Sequence, residues 1–117
     1  MKGLKMSNRE QYVESCKEVI ERVLVPGQTL IQYVRTKKGM LRGVVVAFRN
    51  PRSNEINIGW SLCNIKEERF DKTIGLNKAV TRSVQLISWV YDSELPHTVR
   101  DVYDMVRERA RKFFKVD

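Results

Sequence analysis

Five residues near the C-terminus, Arg100, Asp104, Arg107, Arg111 and Lys115, recur at intervals of three and four. At about 100° per residue they share one narrow sector of a helix, with Arg107 and Arg111 one turn apart. The sector borders an apolar face through Tyr103 and Phe114, so two guanidinium forks can stand beside an aromatic ring. A phosphate needs forked donors and a nucleobase needs a stacking plane, and this border offers both. The same spacing fits a solvated basic face carrying an Asp104–Arg107 pair three residues apart.

A second constellation is purely cationic. Arg35, Lys37, Lys38, Arg42, Arg49 and Arg52 fall within residues 28–54, which contain no Asp or Glu, so most of the chain's net charge of +8 is concentrated there. Such a hairpin can contact a nucleic-acid backbone without reading its bases, or match an acidic host protein as a binding inhibitor. Tyr33 and Phe48 can add stacking on single strands, although aromatic residues in strands more often fill a core. The alternative is a solvated hairpin whose cations blunt an exposed sheet edge.

Catalysis finds no comparable support. His97 is the sole histidine and follows Pro96 in a connection, while Ser61 and Cys63 lack an assignable base. Glu67, Glu68 and Asp71 alternate with Lys66, Arg69 and Lys72 ahead of a helix, where carboxylates complement the helix dipole. Two cysteines and one histidine make neither a Cys/His zinc site nor a disulfide framework. The expectation is a binding protein that is not an enzyme and uses no metal or cofactor. Cys16 falls on an apolar stripe, where a free thiol is small core filler.

The elements that must position these residues follow from periodicity. The 117 residues suit one domain, and stretches such as Gly43–Phe48 are far too short to span a membrane. Met1–Met6 leads into no apolar signal core, which places the chain inside a cell. Ser7-Asn8-Arg9-Glu10 has the form of a capping box, and Tyr12, Val13, Cys16, Val19, Ile20, Val23 and Leu24 continue as one helical stripe until Pro26 and Gly27. Thr29–Arg35, Met40–Arg49 and Glu55–Leu62 read as three antiparallel strands in a meander. In the third, Ile56, Ile58, Trp60 and Leu62 share one face. Asn57, Gly59, Ser61 and Cys63 make a small, polar second face, open or closely approached by another chain or ligand.

A helix follows from Phe70, N-capped by Asp71, with Ile74, Val80, Val84 and Ile87 apolar. Gln85–Tyr91 reads equally as its last turns or as a short strand. A final helix, with Thr98 and Asp101 as candidate starts, carries Val99, Val102, Tyr103, Val106, Ala110, Phe113 and Phe114 almost to Asp117. The expected fold is α+β: an N-terminal helix, a three-stranded antiparallel meander and two C-terminal helices packed on it, with helices covering one face. A domain this small buries a limited share of its surface, which makes self-association an expectation.

The least generic stretch is Ile58-Gly59-Trp60-Ser61-Leu62-Cys63-Asn64, followed by Phe70-Asp71-Lys72-Thr73-Ile74-Gly75-Leu76 and Ala79–Arg82. Gly75 interrupts a helical pattern at a cost of about 1 kcal/mol relative to Ala, which points to close packing. With Gly43-Val44-Val45-Val46-Ala47, these residues resemble small phage-encoded proteins, above all the Thoeris anti-defence sponges, over about residues 40–82. The resemblance implies a homo-oligomer in the cytoplasm of the host bacterial cell that sequesters a cyclic ADP-ribose-type signal between subunits without cleaving it. It makes Arg107 and Arg111 the phosphate ligands, and Trp89, Tyr91 and Asp92 the candidates for base and ribose. The N-terminal helix departs from the simplest pattern of that family.

Overall fold

Helix α1 (Asn8–Val23) gives way at Pro26 and Gly27, where Gly27 takes φ +83°, to three antiparallel strands. These are β1 (Thr29–Arg35), β2 (Leu41–Arg49) and β3 (Ile56–Leu62), with β2 at the centre. Helices α2 (Lys72–Gln85) and α3 (His97–Phe113) complete the expected α+β order. The structure is a computed structural model and describes residues 8–50, 52, 54–64, 69–85 and 95–114. No helix among the described residues is long and apolar enough to cross a membrane. Ser7, Ile87 and Lys115 lie outside the described residues, as do positions 86–91.

The helices cover both faces of the sheet, which corrects the expectation of one. Val44, Val46 and Phe48 pack with Leu76, Ala79 and Val80 of α2, joined by Ile20 and Val23 of α1. Val45 and Ala47 face the other way, against Val99, Tyr103, Val106 and Ala110 of α3 and Phe114 just after it. The physical reason lies in β2 itself. Val44-Val45-Val46-Ala47-Phe48 is apolar at odd and even positions alike and completely buried, so neither face can be left wet.

The small, polar face of β3 is closely approached, as its composition allowed, and what approaches it is α2. A Cβ at Gly59 would overlap the Ala79 carbonyl oxygen and come within 2.8 Å of Ser83 Cβ. Gly75 has the same logic, since a Cβ there would stand 2.6 Å from the Phe70 ring. Beside it the Ser61 hydroxyl donates to the Gly75 carbonyl at 2.7 Å. Asp71 does cap α2, accepting from the Ile74 amide at 2.9 Å. In α3 neither Thr98 nor Asp101 starts the helix. It follows Pro96, whose carbonyl accepts from the Val99 amide at 2.9 Å, and no side chain caps it. At its other end Phe113 is exposed rather than part of the apolar face.

Candidate functional site

Helix α3 forms because its apolar residues recur every three or four positions and meet the sheet face of Val34, Val45 and Ala47. Its charged residues are thereby turned outward. Arg107 lies with its guanidinium carbon 5.8 Å from the centre of the Tyr103 ring, so one of the two expected guanidinium groups stands beside an aromatic ring, but that ring is buried and leaves no open plane for a base. The Asp104–Arg107 pair is present too, at 3.3 Å, and Arg111 meets Glu108 at 3.9 Å. Both pairs are exposed and hold their partners weakly, at about 0.3–0.5 kcal/mol each. The Phe114 ring is not available to either arginine, because Arg49 occupies it. Trp89, Tyr91 and Asp92 lie outside the described residues, as do Glu67 and Glu68.

The six cations of residues 28–54 are not one patch. Lys37 and Lys38 are exposed in the β1–β2 loop, where Gly39 adopts φ +88° and the Thr36 amide donates to the Met40 carbonyl at 2.8 Å. Arg35 is braced across this loop, donating to the Gly39 carbonyl at 2.8 Å. Arg52 sits in the β2–β3 turn at the opposite end of the sheet. The nine residues of β2 lie between, roughly 30 Å of extended chain. Arg42 is half-buried on the α2 face, and its Nε is buried without a hydrogen-bond partner.

Arg49 has an internal role. Its Nη2 donates to the Phe114 carbonyl at 3.1 Å, at the C-terminal end of α3, and its guanidinium stands 5.7 Å from the centre of the Phe114 ring. Nε donates to Gln28 Oε1 at 3.2 Å, and Nη1 reaches both the carbonyl and the side-chain oxygen of Asn54. A cation at a helix C-terminus complements the partial negative charge of the last carbonyls. Arg49 therefore ties β2 to α3. Phe48 is fully buried, which removes it from stacking on single strands, and Tyr33 packs edge-on against Phe70 at 6.4 Å with Lys72 over its ring at 5.1 Å.

Comparison with known proteins finds no matching family model, no similar curated protein and no similar solved structure.

Cys16 and Ser61 are otherwise engaged. Cys16 is 1% exposed, and burial pushes its thiol above the usual range, with the negative charge of Asp71 adding to the effect. It is core filler, as expected from its place on the stripe. Ser61 is buried with its proton committed to Gly75, and His97 is exposed at the first turn of α3. Among the described residues no group of three His, Cys, Asp or Glu side chains could hold a metal ion.

Sequence reasoning also passed over Arg82. It donates to the Trp60 carbonyl at 3.1 Å and covers the Trp60 ring at 4.5 Å. This closes part of the β3 edge against further strand pairing.

Proposed function

We propose that this chain is a phage counter-defence protein that binds a cyclic nucleotide-type immune signal, a cyclic ADP-ribose isomer or a cyclic oligonucleotide, and sequesters it without cleavage. Arg107 and Arg111 bind the phosphates. The observation that carries this reading is Arg107 beside the Tyr103 ring at 5.8 Å, with Arg111 one turn further along the same exposed side of α3. The carboxylates of Asp104 and Glu108 hold these guanidinium groups only through exposed pairs, which a phosphate displaces at little cost. The internal engagement of Ser61 and Cys16 favours retention over turnover. The sequence resemblance adds the expectation that copies of the chain share the ligand. Calorimetry across cyclic ADP-ribose isomers and cyclic oligonucleotides tests it. Stoichiometric binding by the natural chain and none by a folded Arg107→Ala/Arg111→Ala variant is expected, and equal affinity of the two removes α3 from the site.

A second reading is favoured by a different observation. Lys37 and Lys38 are exposed and have no carboxylate partner among the described residues, and Lys72 lies toward the same end of the sheet, over Tyr33. That end suits a nucleic-acid backbone or an acidic host protein. Backbone binding weakens steeply with salt and is lost in Lys37→Glu/Lys38→Glu. Capture that survives nuclease treatment points to the acidic protein.

A further inference from the structure

The residues singled out as least generic in the sequence build a cavity that the α3 reading does not use. Ser61, Leu62 and Cys63 at the end of β3, with Phe70, Ile74 and Gly75 around the start of α2, line a solvent-open cavity of about 40 Å³. A single water needs roughly 10–15 Å³, so the space can take a group the size of a small tetrahedral oxyanion.

Its charged lining comes from three separate segments: Arg9 of α1, Arg69 on the approach to α2, and Lys78 in α2. The one carboxylate among the described lining residues, Asp71, is already shared. It pairs with Arg9 at 3.5 Å and caps the Ile74 amide. Arg69 and Lys78 are exposed at the rim with no carboxylate partner among the described residues. The helix amides are not the donors here, since those of Ile74 and Gly75 are bonded to Asp71. The side chains must supply the recognition.

We infer that this cavity is a site for one phosphate group, held by Arg9, Arg69 and Lys78 as free phosphate or as a terminal phosphomonoester. Such a group carries about 1.5 to 2 negative charges at neutral pH and accepts several charge-assisted hydrogen bonds, for which the cations lining the cavity are the donors. The site lies on the α2 side of the sheet, opposite the face covered by α3, and does not rest on the role proposed for Arg107 and Arg111.

The test is titration of the full chain with inorganic phosphate, followed by phosphorus NMR and by amide shifts. Saturable binding of one phosphate per chain, with shifts at Cys63, Ile74 and Gly75, is expected. Arg69→Gln/Lys78→Gln, checked for folding by circular dichroism, weakens it at least about tenfold, and Lys112→Gln, at an exposed position of α3, leaves it unchanged. A parallel titration with adenosine 5′-monophosphate identifies the source. Tighter binding than phosphate assigns the site to a monoester, and weaker binding to the free ion. Absence of saturation, shifts confined to α3, or equal affinity in the Arg69/Lys78 variant overturns the inference.

Discussion

Replacing Arg49 by Ala separates a structural arginine from a ligand-binding one. The side chain makes four hydrogen bonds to three segments, but three are exposed and return to water at little cost. Only the bond to the Phe114 carbonyl is part-buried. A hydrogen bond from a charged donor contributes about 1.5–2 kcal/mol in that setting. The guanidinium over the Phe114 ring adds about 0.5–1 kcal/mol, for an expected loss of about 2–3 kcal/mol. Urea unfolding followed by circular dichroism reads this as a lower midpoint at an unchanged slope. Arg49→Lys recovers only part of it, because an ammonium cannot reach Gln28, Asn54 and Phe114 together. A loss within about 0.5 kcal/mol, accompanied by weaker polyanion binding, would show that Arg49 serves a ligand and not the junction between β2 and α3.

Three further outcomes follow from the packing. Gly59→Ala forces α2 off β3 and costs at least about 3 kcal/mol in the same unfolding assay; a stable variant would contradict the close approach at Ala79 and Ser83. Folding holds the Cys16 thiol above its ordinary value of 9.0, whereas the unfolded chain ionises near that value. Stability from this group is therefore intact below about pH 9 and lost as pH rises beyond it. Cys16→Ala flattens that decline, and in the natural protein Cys16 resists alkylation until the chain unfolds. Lys37→Gln/Lys38→Gln changes stability by less than about 0.5 kcal/mol, since neither side chain joins an ion pair among the described residues; a larger loss in urea would give the loop a structural role.

Much of the architecture was legible because it is encoded in local periods. Alternation over Ile56–Leu62 gave the two faces of β3, and three- and four-residue spacing gave α3 and its Asp104–Arg107 pair. The placement of helices on both faces was also present, in the unbroken apolar run of β2, but a single covered face is the simpler reading of a meander. What could not be read locally depends on distant partners. Arg49 looks like any hairpin cation until Phe114, 65 residues further on, is brought beside it. Gly59 and Ser61 look like an accessible face until α2 is laid over them. The acid-free stretch looks like one patch along the chain, yet the length of β2 divides it between two ends of the sheet.

Sequestration without cleavage is tested most directly by the mass of what the protein carries. The chain is purified from cells with an active nucleotide-signalling defence and denatured, and the released small molecule is weighed. An intact cyclic nucleotide, absent from the Arg107→Ala/Arg111→Ala variant, is the result predicted here. Recovery of a cleaved product, or of no nucleotide at all, would contradict it.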